Sequence, residues 1–196
     1  MKTLGRILMA AAGLLTLSLF IYPMWRIDLS APQYPDPLGM YIHIDGLEGV
    51  EEHDLQNIDI LNHYVGMKPL PKPGDMWEFQ VFPIVVGAMG ALALLFALLG
   101  NRRLYLLWFI LMVVLGALGV YDFYLWLYDY GTNLDPHAII QLTDEQGNPL
   151  HYVPPLLGYK QLLNFEVWSY PAIGGVLLAV GIMLSFLAYI IAGRKK

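Results

Sequence analysis

Apolar residues in this chain fall into four long blocks, separated by two long polar stretches and one short basic turn. The first block, ILMAAAGLLTLSLFIY at residues 7–22, follows a basic N-terminus, so residues 1–22 are expected to form a first transmembrane helix. A cleaved signal peptide would place small residues after such a run. Ile21, Tyr22, Pro23, Met24 and Trp25 stand there instead, which favours an uncleaved anchor. Residues 79–100, 104–127 and 169–192 predict three further spans, each with the roughly 20 apolar residues that cross about 30 Å of hydrocarbon. Pro83 and Pro171 are expected in the first turn of their helices, where a missing N–H costs least.

The polar stretches, residues 23–78 and 128–168, break this pattern. Pro32, Pro35, Pro37 and Gly39 rule out a regular element between Ala31 and Met40. Met40 to Ile44 alternates enough for a short strand. Glu51 to Met67 reads as a helix, which PLPKPGD then ends. In the second stretch, Ala138 to Leu142 and Leu150 to Val153 flank TDEQGNP and predict a hairpin, and PPLLGYKQLLNF predicts a short helix near the surface. The expected fold class is therefore an all-α membrane protein: four transmembrane helices with two extracytoplasmic α/β loop segments packed on each other.

Charge orients this arrangement. Lys2 and Arg6, Arg102 and Arg103, and Arg194, Lys195 and Lys196 form three clusters without an acid, whereas the acids fall in the other segments. The positive-inside rule then puts both termini and the Asn101–Arg103 turn on the cytoplasmic side. It also leaves Trp25, Trp77, Trp126 and Trp168 as an expected aromatic belt at the outer interface. The net charge of -5 adds little, because no basic tract is long enough to suggest nucleic-acid binding. Cysteine is absent, which excludes disulfides, thiolate zinc sites, iron–sulfur clusters and thiol catalysis. There is no G-x-S-x-G, H-E-x-x-H, Walker A or G-x-G-x-x-G motif, and no span carries a histidine for haem, so no enzyme is expected.

Metal ligation is the chemistry left to consider. His63 and Met67 lie four apart in the predicted helix, which would set an imidazole and a thioether on one face. Asp59, one turn earlier, is placed to accept the other ring N–H of His63. Met40 with His43 forms a second pair, and His137 or His151 would approach from the other polar stretch. Imidazole with thioether suits copper, above all Cu(I). The alternative is that histidines avoid hydrocarbon and so collect in loops, and that Met67 merely ends a helix. Asp122, inside the apolar run LGVYDFYLWLYDY, is either functional or within reach of the headgroups.

Three segments, WRIDLSAPQYP, NIDILNHYVGM and PPLLGYKQLLNFEVWSYPAIGG, resemble a small family of four-span accessory proteins. These are encoded alongside the copper enzyme nitrous oxide reductase in the atypical type of that gene cluster. The resemblance implies an inner-membrane protein with periplasmic loops and a membrane or periplasmic protein partner. Its role would lie near copper delivery, maturation or electron supply to a respiratory enzyme. A structural subunit or scaffold of a larger membrane complex, with no ligand of its own, is the second expectation.

Overall fold

A computed structural model describes residues 2–72, 74–140, 143, 151–162 and 164–193. Four of its helices are long and apolar enough to cross a membrane: Lys2–Phe20, which includes a short 3-10 turn at its end, Glu78–Leu99, Arg102–Thr132 and Ile173–Gly193. The chain is a multi-pass membrane protein. We label the helices α1 (Lys2–Leu17), α2 (Asp54–Val65), α3 (Glu78–Leu99), α4 (Arg102–Thr132) and α5 (Ile173–Gly193), of which α2 lies in the first polar stretch.

The spans close into a ring in which α1 packs on α3 and α5, and α4 packs on the same two helices. Close approach comes from small residues. A Cβ on Gly13 would lie 2.9 Å from the Ala93 methyl, and Ala12, Ala93 and Ala188 are wholly buried. The large members of this core are Tyr105 and Trp108, and the Trp108 indole donates to the Met89 carbonyl at 2.8 Å.

The all-α expectation is overturned by a five-stranded antiparallel sheet outside the spans. Its strands are β1 (Trp25–Ser30), β2 (Leu38–Ile42), β3 (Leu47–Gly49), β4 (Gly158–Leu162) and β5 (Phe165–Pro171), in the order β3-β2-β1-β5-β4. The two polar stretches are thus not separate loop segments but parts of one sheet, joined by the central pairing of Trp25 with Pro171 through Ser30 with Glu166. The physical reason is alternation. In WRIDLS, Trp25, Ile27 and Leu29 point to one face and Arg26, Asp28 and Ser30 to the other. FEVWSYP does the same with Phe165, Val167 and Ser169 against Glu166, Trp168 and Tyr170.

Three local expectations change with the sheet. PPLLGYKQLLNF supplies β4 rather than a helix, and Pro171 ends β5 rather than opening α5. Of the expected hairpin, the turn TDEQGNP lies outside the described residues except for Thr143, and the described flanks at 138–140 and 151–153 are not in strands. The aromatic belt also dissolves. Trp25 and Trp126 pack into the extramembrane core, and Trp168 lies against Tyr159 out on the sheet. Only Trp77, 61% exposed beside the start of α3, stays where a belt residue belongs.

The sheet grows directly out of the bundle. Ala172 donates to Met24 and Gly174 to Pro23, so the start of α5 is tied to the chain leaving α1. A side chain at Gly174 would collide with the Tyr22 and Pro23 carbonyls, at 2.6 and 2.7 Å. From the other side, α4 is 31 residues long, about 46 Å against the roughly 30 Å of hydrocarbon, so its last turns emerge beneath the sheet. Asp122 is half-buried and lies about 30 Å along α4 from Arg102, at the level where hydrocarbon gives way to headgroups.

Candidate functional site

The extramembrane module has two unlike faces, and the sequence-predicted residues divide between them and the rim. On the inner face, Ile27, Met40, Ile42 and Val167 pack with Leu127 near the end of α4. Between this face, α2 and α4 lies a partly open cavity of about 110 Å³. Its lining is mostly apolar and includes Met40, Met67, Leu61, Trp126, Phe165 and Val167. Two thioethers from the expected ligand set therefore share one cavity.

His63 and Met67 do not keep a helical relation. The helix stops at Val65 because Gly66 takes a left-handed backbone, φ 79°, which only glycine adopts at no steric cost. Gly66 N–H donates to the His63 carbonyl at 3.3 Å and Met67 N–H to the Asn62 carbonyl at 2.9 Å. That double bond pattern is a Schellman ending, and it turns Met67 inward onto the apolar side of α2. His63 stays exposed on the last turn, where a ring cation would complement the negative end of the helix dipole.

Asp59 is likewise engaged elsewhere. Its Oδ1 accepts Leu70 N–H at 2.6 Å, fastening the run after α2 back onto the helix. The same run is held by α4, through Lys68 Nζ on Asp129 at 2.6 Å and a bond from the Tyr130 hydroxyl to the Pro69 carbonyl. His43 Nε2 lies 3.0 Å from Glu48 Oε2 but outside hydrogen-bond geometry, so the contact is an ion pair only when the ring is protonated. His151 is exposed.

One part of the expected convergence does form. Asp135 N–H donates to the Gly66 carbonyl at 2.8 Å and Ile140 N–H to the Tyr64 carbonyl at 2.9 Å, which docks residues 135–140 beside the end of α2. The His137 N–H, 2.8 Å from Asp135 Oδ1, holds that carboxyl below the usual carboxylate range, and the charges of His137 and His63 act in the same sense. His63, Asp135 and His137 thus share an exposed corner. Among the described residues, no group of three or more His, Cys, Asp or Glu side chains is arranged to hold a metal ion.

The outer face carries the residues that the linear reading passed over. Arg26 Nε donates to Asp28 Oδ1 at 2.8 Å, its NH1 group donates to the Tyr41 hydroxyl at 2.9 Å, and its guanidinium lies 5.2 Å from the centre of the Tyr41 ring. The Tyr170 hydroxyl donates to Asp28 Oδ2 at 2.5 Å. Burial and the Asp28 carboxylate together push the Tyr170 hydroxyl above the ordinary tyrosine value. The Trp168 and Tyr159 rings lie 4.7 Å apart, tilted at 47°, and remain 48% and 47% exposed. The alternation in WRIDLS and FEVWSYP was the available signal for this face. Comparison with known protein families, with curated proteins and with solved structures finds no match.

Proposed function

We infer that this chain is a structural or accessory subunit of a larger membrane complex, and that it docks a partner protein on the outer face of its sheet. The carrying observation is the exposed set Trp168, Tyr159 and Tyr170, with half-buried Tyr41, around the Arg26–Asp28 pair. Tryptophan, tyrosine and arginine dominate the energetics of protein interfaces, and side chains already held by neighbours lose little freedom on binding. Sorting of the basic residues favours both termini in the cytoplasm with the module on the opposite side, and the resemblance favours an inner membrane with the module in the periplasm. The resemblance to accessory proteins of atypical nitrous oxide reductase gene clusters favours a periplasmic copper or respiratory enzyme as the partner.

Copurification of the full chain from native membranes tests this reading. A fixed partner at constant stoichiometry is expected, and Trp168→Ala with Tyr159→Ala should weaken it by roughly 30-fold or more, as loss of a central aromatic contact of about 2 kcal/mol does. An unchanged partner affinity in that double variant would exclude the outer face.

A second reading has its own observation: Met40 and Met67 line one cavity, and thioethers prefer Cu(I). Transient copper binding would then centre on the cavity rather than on a helical His63 and Met67 pair. Titration of the detergent-solubilised protein with Cu(I) separates the cases. A cavity site loses affinity in Met40→Leu with Met67→Leu and ignores His63→Ala. A site at the exposed corner weakens with His63→Ala and ignores His53→Ala.

A further inference from the structure

The basic end of the bundle presents two guanidinium groups in defined positions, and among the described residues neither has a carboxylate in ion-pair contact. The Arg6 side chain lies against Gly100, the left-handed residue closing α3, where a Cβ would fall 2.4 Å from Arg6 Nε. Arg102, two residues further on, places its guanidinium 4.9 Å from the centre of the Tyr189 ring, with one N–H directed to the Tyr189 hydroxyl at 3.3 Å. The last residue of α5, Gly193, leaves the gap it fills: a Cβ there would lie 2.5 Å from its NH1 group. Arg103 is exposed beside them. Among the described residues no ion pair joins a carboxylate to Arg6 or Arg102, and Asp122, the acid of α4 nearest to Arg102, lies about 30 Å along the helix.

Cations without a carboxylate partner take counter-ions from their surroundings, and here the surroundings are lipid. Leu4, Ile7, Leu98 and Leu99, within a turn of Arg6 and Gly100, are 48%, 59%, 77% and 57% exposed. Guanidinium groups match phosphate geometry with paired N–H donors, and basic recesses between spans hold anionic headgroups. We propose that Arg6 and Arg102 form a binding site for one anionic phospholipid, its phosphodiester on the two guanidiniums and its acyl chains along Leu98 and Leu99. The ring of Tyr189 and the gap at Gly193 position Arg102, so the site is more than attraction to a charged surface. It rests on neither the docking reading nor the copper reading.

Binding of lipids to the full-length protein in neutral detergent, read by native mass spectrometry and by thermal shift, tests the proposal. Phosphatidylglycerol or cardiolipin should bind and raise Tm, whereas phosphatidylcholine and inorganic phosphate should not. Arg6→Gln and Arg102→Gln should each weaken phosphatidylglycerol binding about fivefold, and Lys72→Gln with Lys160→Gln, on the opposite side, should leave it unchanged. Gly193→Ala keeps every charge and displaces only the tip of a flexible arginine. It should weaken binding as well. Equal binding of phosphatidylcholine, an equal shift with inorganic phosphate, or wild-type phosphatidylglycerol binding by Gly193→Ala would each overturn the site.

Discussion

The bundle and the module of this protein are held together by different physics. Between the spans, Gly5, Gly13 and Gly181 bring backbones into contact, and Ala12, Ala93 and Ala188 fill what remains. Lipid tails are as apolar as these side chains, so the attraction is close packing, with a few buried polar bonds such as Trp108 to Met89. In the module, Ile27, Met40, Ile42, Leu127 and Val167 leave water on folding, and the hydrophobic effect acts directly. Buried polar groups there fix register: Asp54, 5% exposed, accepts Gly39 and Glu51 N–H at 2.9 and 3.0 Å, and Ser169 joins the Trp25 indole to the Leu156 carbonyl. One helix, α4, serves both regions, so a change along it should act differently above and below Asp122.

Gly131→Ala should show the largest effect. Gly131 is buried at the top of α4, and its carbonyl accepts Tyr152 N–H at 2.8 Å. A Cβ would fall 2.3 Å from Val153 Cα, which is backbone and cannot swing aside. Overpacking of this kind costs about 1–3 kcal/mol, more than the roughly 1 kcal/mol that alanine gains over glycine in a helix. Protease sensitivity of the module in detergent should therefore rise while the spans stay inserted. Gly116→Ala, on the same helix with nothing within 4 Å, should change neither. Equal effects at both positions would mean that the two regions unfold as one.

Trp108→Phe probes the other region and should do less. It keeps a large ring at a wholly buried position and removes one indole bond to a helix carbonyl. Interhelical bonds in membranes average about 0.6 kcal/mol, because the loosened helices find other partners. A small loss of resistance to SDS-induced unfolding is expected, with the module's protease pattern unchanged. A loss as large as that of Gly131→Ala would contradict the packing account of the bundle.

The same contrast explains what was legible in the sequence. Spans were readable because twenty consecutive apolar residues have one physical meaning, and the α2 region was readable from its helical periodicity. The sheet was not. WRIDLS alternates cleanly, but its partners β2 and β5 lie on opposite sides of it, and β5 is 135 positions away in sequence, counted from Ser30 to Phe165. FEVWSYP sits against an apolar span and borrows its appearance, which pulled the expected start of that span back to residue 169. The expected helical relation of His63 and Met67 fails for a local reason, since Gly66 separates them and the glycine was read through rather than read as a stop. Met40 with Met67, and His63 with His137, came together through tertiary docking that four-residue spacing does not encode.

The smallest predicted effect concerns the rim where residues 135–140 meet the end of α2. Asp135 is fully exposed, so it contributes little to overall stability, but its carboxylate organises the corner through the His137 N–H. Its folded pKa is depressed below the unfolded one. The contribution is therefore complete above the value for a free aspartate, about 3.9, and disappears as pH falls through the lower folded value. An NMR titration of the His137 backbone amide in detergent should give a midpoint below about 3.9. Asp135→Asn removes the titrating charge but leaves an oxygen to accept the N–H, so the amide should no longer titrate in that range while Ile140 stays bound to the Tyr64 carbonyl. The charges of His137 and His63 also lower the Asp135 value, so His63→Ala with His137→Ala should move the midpoint upward. A midpoint at or above that of a free aspartate, unchanged in the histidine variants, would show that these three side chains share no common corner in solution.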